Sequence, residues 1–248
     1  MYTSTEGIIF RQVKAAGGRR MILLFTKKYG KISAGSSLSE KGRTKAALAL
    51  RPFTYGNYEL YKGRESYNIN SAEVKCSFFR IGEDVDKYME SSFVLELTEK
   101  MTPEDLPQPR LFNLLAEFLA AMEKREKKHS TLVLAYEVKA LAALGTFPQL
   151  DKCACCAGSE NLRYFSVKDG GMVCGKCRNP ANDTLIYEPK FDIVNILKFF
   201  SKTPMRGFEK IALDDGAAEE LQRILRKYMS YYLDVGTLKS ESIFEGKY

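Results

Sequence analysis

The first eighty residues alternate between short apolar runs and polar turns. Gly7-Ile8-Ile9-Phe10-Arg11 and Arg20-Met21-Ile22-Leu23-Leu24-Phe25-Thr26 read as strands, and Gly17-Gly18 between them is a hairpin signal. Lys31-Ile32-Ser33-Ala34 reads as a third strand after the Tyr29-Gly30 turn. Tyr55 to Tyr61 and Tyr67 to Phe79 read as a fourth and a fifth, separated by Gly63-Arg64. Five short strands in so little chain favour a closed Greek-key barrel of the OB type, because closure removes the exposed edges. Phe10, Phe25, Phe78 and Phe79 are expected in its core. The tyrosines stay open between core and surface.

Past residue 80 the apolar period becomes that of a helix. Asp84 to Lys100 carries Val85, Tyr88, Met89, Phe93, Val94 and Leu97, and is broken by Thr102-Pro103 and Pro107-Gln108-Pro109. Leu111, Phe112, Leu114, Leu115, Phe118, Leu119 and Met122 then form a stripe at i, i+3/i+4 spacing. Lys124 to Lys128 reads as a solvated, charged helix exit. Leu132 to Leu144 is a further apolar helix, with Gly145 as its C-cap and Pro148 beyond. Further on come Phe191 to Phe200, a break at Pro204, and Asp214 to Leu233, whose Leu221, Ile224, Leu225, Tyr228, Tyr231 and Tyr232 turn toward a core. The expected class is α+β multidomain: an N-terminal OB-fold β-barrel over 1–80, then an α-helical domain over 81–248 with a cysteine-rich module inserted at 150–182. The sequence has no internal repeat, low-complexity tract, leader-like segment or apolar run near ~20 residues, so no membrane partner is expected.

Charge changes the picture of the front third. The 248-residue chain carries +7, enough length to bury a sizeable core and a modest basic excess overall. Residues 1–75 hold 14 Lys/Arg against 5 Asp/Glu, a local +9, while the remainder is −2. Such confinement points to a polyanionic partner for that third; a merely soluble basic domain is the alternative. The basic residues cluster at the first turn (Lys14, Arg19, Arg20), around the second (Lys27, Lys28, Lys31) and at Lys41, Arg43 and Lys45. Phe25, Tyr29, Phe53, Tyr55, Tyr58 and Tyr61 interleave with them. Cations neutralise phosphates, and an exposed ring such as Tyr29 stacks on a base for about 1–3 kcal/mol.

The cysteines carry a second chemistry. Cys153-x2-Cys156 and Cys174-x2-Cys177 can each present two thiolates to one ion, and a hairpin over the intervening residues 157–173 would bring the pairs together. Four thiolates suit structural Zn²⁺ at about 2.3 Å and leave no open position for water. Gly158, Gly170, Gly171 and Gly175 suit knuckle turns with positive φ. Cys155 cannot complete either pair and is a bystander. A redox dithiol would need only one pair, and disulfides lack the secretory context they favour.

Enzymatic readings fare poorly. The sequence lacks a phosphate-binding Gly-x4-Gly-Lys-Ser/Thr loop, a Gly-x-Gly-x-x-Gly turn and a Gly-x-Ser-x-Gly elbow. The single histidine, His129, follows a lysine run and is expected to be exposed and idle. Asp84/Asp86 and Asp214/Asp215 resemble Mg²⁺ ligands of a nuclease, but they fall at helix starts, where carboxylates favour the dipole anyway.

The order of basic barrel, helical body, four-cysteine knuckle and further helix resembles the RecO family of recombination mediators across essentially the whole chain. The strings that carry the likeness are Thr5-Glu6-Gly7-Ile8-Ile9-Phe10-Arg11, Leu24-Phe25-Thr26 with Gly30-Lys31, Leu50-Arg51-Pro52-Phe53, and Leu238-Lys239-Ser240 with Phe244. The chain departs from the family at Gly35 to Arg43, which is longer and carries Glu40, and at Cys155. Membership would imply a non-enzymatic protein of bacterial DNA repair; the lack of a leader-like segment and the free thiolates favour the bacterial cytoplasm, near the nucleoid. Such proteins bind ssDNA and dsDNA, anneal complementary strands, and act with RecR to help RecA displace single-strand-binding protein (SSB), whose acidic C-terminal tail they also engage. Two other classes stay open from the residues alone: a zinc-ribbon adaptor working through protein contacts in transcription or translation, and a metal-dependent nuclease.

Overall fold

The computed structural model describes residues 1–14, 20–36, 38, 45–64, 66–179 and 184–240, the side chains of Lys14 and Arg20 excepted. Strands β1 (Tyr2–Lys14), β2 (Arg20–Thr26), β3 (Gly30–Ser36), β4 (Thr54–Lys62) and β5 (Tyr67–Ser77) close into a barrel in the order β1-β2-β3-β5-β4. A short helix, α1 (Lys45–Ala49), lies between β3 and β4. Every pairing is antiparallel except β3 with β5. The long β1 serves two neighbours: its first half pairs with β4, its second with β2, and the register shifts between Ile9 and Arg11 where it bends. This is the expected OB-fold-like barrel.

Alternation decides which side chains fill it. Along β4, Thr54, Gly56, Tyr58 and Leu60 point inward, and Ile9, Ile22, Leu24, Ile32, Ala34 and Ile69 meet them. The tyrosines left open by the sequence therefore divide. Tyr58 is fully buried and donates its hydroxyl to the Ala49 carbonyl at 2.7 Å; Tyr29 and Tyr55 are half-buried and Tyr61 is exposed. Phe10, Phe25 and Phe78 are in the core, but Phe79 is 64% exposed. β5 ends at Ser77, and Phe78 takes the inward place while Phe79 opens a 3-10 turn.

Two helices complete this unit, α2 (Val85–Met101) and α3 (Pro109–Lys124). Asp84 caps α2 by accepting from the N–H groups of Asp86 and Lys87. Pro109 stands in the first turn of α3, where its missing N–H costs nothing. The Phe112 ring meets Phe25 and Tyr55 edge-on at 5.4 and 5.9 Å. One compact unit thus comprises Met1–Arg125 and the segment beginning at Leu238, so α2 and α3 belong with the barrel. Arg125, expected at a solvated exit, is 6% exposed, and its N–H caps α3 by bonding the Ala121 and Met122 carbonyls. Burial lowers its pKa, against the opposing pull of Glu90.

The second unit spans Glu126–Thr237. Its α4 (His129–Ala143) is buried on nearly all sides against α5 (Ile193–Lys202) and α6 (Asp215–Leu233), which matches its apolar sequence. It ends as expected at Gly145, with φ 76°; Thr146 N–H bonds Leu141 O at 2.9 Å and Gly145 N–H bonds Ala142 O at 3.3 Å. His129 is not exposed: as the first residue of α4 it is 8% accessible. Tyr231 also departs from expectation. It lies at the edge of the α6 stripe rather than within it, and is 51% exposed, while Leu221, Ile224, Leu225 and Tyr228 are buried. Asp214 caps α6, as the helix-start reading of Asp214/Asp215 requires. Strands β6 (Leu162–Ser166), β7 (Gly171–Cys174) and β8 (Ile186–Tyr187) form a small sheet in the order β7-β6-β8. No helix among the described residues is long and apolar enough to cross a membrane.

Candidate nucleic-acid surface and metal centre

A phosphate-binding cation must be exposed and must keep its charge. The β2–β3 turn presents Lys27, Lys28 and Tyr29, and each has a different environment. Lys28 is exposed, and its Nζ sits 5.2 Å from the Tyr29 ring centre and 3.3 Å from Thr3 Oγ1. Tyr29 shares a 2.5 Å hydrogen bond with Thr3 Oγ1, and its pKa is lowered first by that bond and then by Lys28 and Lys62. Lys27 is paired with Glu6 at 2.9 Å. Lys31, in β3, is half-buried and donates from Nζ to the Glu99 backbone carbonyl of α2 at 3.0 Å. Lys45 is exposed at the start of α1. Arg19, Lys41 and Arg43 lie outside the described residues, as do the side chains of Lys14 and Arg20.

Glu6 is the feature the sequence reading missed. Its carboxylate accepts from Lys75 Nζ, from Lys27 Nζ at 2.9 Å and from the Tyr55 hydroxyl at 2.6 Å. Those bonds, Lys75 first, hold its pKa down to about 2 against a usual 4.5. Burial, and then Glu6 itself, push Tyr55 up to about 12. Lys75 reaches Glu6 because of a bulge: Tyr55 pairs with Cys76 and Gly56 with Val74, leaving Lys75 unpaired and re-aimed. Alternation in β1 puts Glu6 on the outer face, beside buried Thr5 and Gly7, but the bulge that brings Lys75 to it has no local sequence signal. Arg11 is likewise neutralised, by two 2.8 Å contacts to the Glu99 carboxylate. The basic excess of the front third is therefore partly matched by Glu6 and Glu99, and Lys28 is a described cation of the set without a carboxylate partner among the described residues.

The sequence also missed Lys62 and Tyr67. Lys62 Nζ stands 5.2 Å from the Tyr67 ring centre, and the Tyr67 ring is 5.9 Å from that of Tyr29. The signal was available in the register, since β4 and β5 pair Lys62 with Tyr67.

The four expected cysteines do converge. The Sγ atoms of Cys153, Cys156, Cys174 and Cys177 all lie within 4.8 Å of one another. A tetrahedron with ~2.3 Å metal–sulfur bonds has edges of roughly 3.8 Å, and Cys156 Sγ and Cys174 Sγ are 3.9 Å apart. None of the six cysteines is in a disulfide. The β6–β7 hairpin brings the second pair to the first, as the spacing predicted. Each pair sits on a hydrogen-bonded knuckle: Ala157 N–H to Cys153 O at 2.9 Å, and Cys177 N–H to Cys174 O at 3.0 Å. The glycine expectation needs correction. Gly170 has φ 79°, but Gly158 and Gly175 are not in the left-handed region; Ala157, at φ 60°, makes the turn instead. Burial raises the Cys153 thiol, but N–H donors from Cys156, Cys174 and Cys155 outweigh it and bring it down to about 6. Cys177 is held up by hydrogen bonds to the Cys156 and Cys174 sulfurs. The donor set is four soft sulfurs, and it could hold a metal ion. Cys155 stands outside it, exposed.

Comparison with known families agrees with this architecture. The pattern described as "Recombination protein O N terminal" matches residues 1–78, and "Recombination protein O C terminal" matches 82–242. A protein named DNA repair protein RecO from Alkaliphilus metalliredigens (strain QYMF) is 32% identical over 235 residues, covering 94% of this chain and 95% of the relative. One from Thermoanaerobacter sp. (strain X514) is 29% identical over 232 residues, 93% and 92% of the two chains. One from Bacillus cereus (strain B4264) is 26% identical over 245 residues, 99% and 97%.

Proposed function

The chain belongs to the RecO family, and from that premise we propose that it is a non-enzymatic, DNA-binding recombination mediator of DNA repair. It binds ssDNA and dsDNA through the barrel, anneals complementary strands and, with RecR, promotes RecA loading onto SSB-coated ssDNA. The observation that supports this best is the β2–β3 turn, where Lys28 stands exposed over the Tyr29 ring on a closed OB-like barrel. A cation beside a ring offers phosphate neutralisation and a stacking face together, and neither reads base sequence. Lys14, Arg19, Arg20, Lys27, Lys31, Lys41, Arg43 and Lys45 supply further positive charge to the same module. Annealing needs no active site, since one cationic surface that screens two strands lowers their repulsion. The acidic SSB tail is a further partner. The protein works in the bacterial cytoplasm at the nucleoid.

One structural Zn²⁺ per chain is held by Cys153, Cys156, Cys174 and Cys177. The ion cross-links the two knuckles and supplies folding energy to that module, with no role in chemistry on DNA. The experiment that tests the function is a gel-shift series at rising salt, with and without an SSB tail peptide, beside an annealing assay lacking ATP. Affinity should fall steeply with salt, and annealing should be accelerated. DNA affinity unchanged by charge reversal at Arg19, Arg20, Lys27 and Lys28 would overturn the barrel assignment. Capture of a protein complex with negligible DNA affinity would favour the zinc-ribbon adaptor, and shortening of labelled DNA with Mg²⁺ would favour a nuclease.

A further inference from the structure

A cavity of about 330 Å³ opens within the first unit, where α2 meets β1 and the residues leading into β4. That size is at the lower end of the roughly 300–1,000 Å³ usual for a ligand cleft. Its walls are apolar: Phe10, Pro52, Phe53 and Leu95. Phe53 takes its place with a left-handed backbone, φ 60°, while its carbonyl accepts the Phe78 N–H at 3.1 Å. For a residue with a side chain that conformation costs about 1–3 kcal/mol, and such strain gathers at ligand clamps.

The rim indicates what fills it. Lys100 and Lys239 stand exposed there. Two carboxylates share the rim, and both already have donors. Glu99 accepts from Arg11, and Glu96 accepts from the Lys239 and Ser240 N–H groups and the Ser240 hydroxyl. An apolar floor below two lysines fits an apolar side chain flanked by acids. The chain carries such a segment itself: beyond Ser240 it continues Glu241-Ser242-Ile243-Phe244-Glu245. Glu96 and Lys239 both line the cavity, so the Glu96–Ser240 bonds start that segment at its mouth. Four further residues extend up to about 14 Å, which gives the Phe244 ring ample reach. So short a tether also sets an effective concentration of order millimolar, and a weak contact then suffices.

We propose that Phe244, with Ile243 beside it, docks in this cavity as an intramolecular ligand, its flanking Glu241 and Glu245 meeting Lys100 and Lys239. The Glu96–Ser240 bonds hold the segment at the mouth, and the ring fills the space between α2 and the strained Phe53 wall. A groove so occupied is closed to other chains while the ring is in place. The contact needs no nucleic acid, so its test is separate from that of DNA binding.

The test uses the full chain, which contains no tryptophan. Phe244→Trp therefore installs a single indole at the proposed contact. Its emission should be blue-shifted from that of free tryptophan, and its quenching by acrylamide severalfold weaker. Both should be independent of protein concentration. Ser92, half-buried on α2, lines the same cavity. Adding Ser92→Tyr should fill the space and return the indole to the emission and quenching of a solvated one, whereas Ser92→Ala should change neither. A solvated indole in the Phe244→Trp chain overturns the contact. So does a blue shift that survives Ser92→Tyr, because the ring is then buried elsewhere. A shift that appears only as concentration rises assigns the ring to a second copy and overturns it as well. A photoreactive benzoylphenylalanine at position 244 leaves the cavity unaltered. Its crosslinks should fall within one chain, on the segments bearing Phe10, Phe53 or Leu95, and crosslinks confined to other segments overturn the proposal.

Discussion

Lys27 and Glu6 are joined by a 2.9 Å ion pair on the outer face of the barrel. The same carboxylate takes Lys75 and the Tyr55 hydroxyl, so one acidic residue restrains two cations of a surface that is otherwise basic. The pairs are partly exposed and contribute little to stability, about 0–1 kcal/mol each. Their larger effect is on the field that a phosphate meets.

Glu6→Gln should therefore tighten DNA binding. Removing the carboxylate frees Lys27 and Lys75 for phosphate. The slope of log affinity against log salt should steepen by roughly 0.7–0.9 for each cation that gains a phosphate. Fluorescence anisotropy across a salt series measures it. An unchanged slope would mean that neither lysine reaches DNA.

Glu6 also sets an acid response. Its pKa in the folded chain is lowered from 4.5 to about 2. A lowered carboxylate stabilises the fold above the ordinary value, and that contribution is lost as pH falls through the folded value. Wild type should lose stability between about pH 4.5 and 2, and Glu6→Gln should lose less over that interval. Urea unfolding followed by circular dichroism at stepped pH would read the difference.

The metal reading yields a contrast between neighbours. Cys→Ser at 153, 156, 174 or 177 should abolish binding of one Zn²⁺ per chain and destabilise the knuckle module by several kcal/mol. Cys155→Ser should leave metal content unchanged, because its sulfur stands outside the cluster. Elemental analysis with thermal unfolding distinguishes them. A metal-free and fully stable wild-type preparation would contradict the site.

Two glycines with similar dihedrals should respond differently to alanine. Gly30 has φ 74°, and a Cβ there would come within 2.1 Å of the Leu106 carbonyl oxygen. Gly145 has φ 76°, and nothing lies within 4 Å of its Cβ position. Gly145→Ala should cost only the left-handed backbone penalty, about 1 kcal/mol. Gly30→Ala adds a backbone clash, for roughly 3 kcal/mol in all. Denaturant midpoints would report both.

Much of this was legible because it depends on local periodicity. The barrel strands, the amphipathic α3 and the all-apolar α4 each follow from which residues repeat at two or 3.6, and the cysteine spacing dictated a hairpin-borne cluster. Neighbours such as Phe78 and Phe79 show a rule that could have been pressed further: adjacent residues on a strand cannot both face inward. Other features were set by partners distant in sequence. The Lys75 bulge, the burial of His129 and Arg125, and the exposed edge position of Tyr231 depend on what packs against them. The charge count of the front third was correct as arithmetic and incomplete as electrostatics. Only the folded register brings Glu6 to Lys27 and Glu99 to Arg11.

The segment at Leu238-Lys239-Ser240 has a consequence for how the molecule is made. Glu96 in α2 accepts from the Lys239 and Ser240 N–H groups, each at 2.9 Å, and from the Ser240 hydroxyl at 2.7 Å. Ser240 is 144 residues downstream of Glu96. During vectorial synthesis on the ribosome, the barrel and its two helices emerge first, yet this clasp cannot fasten until the second unit has been translated. A nascent chain stalled before Leu238 would leave Glu96 without these donors, so a stretch translated after the second unit completes the packing of the unit translated before it.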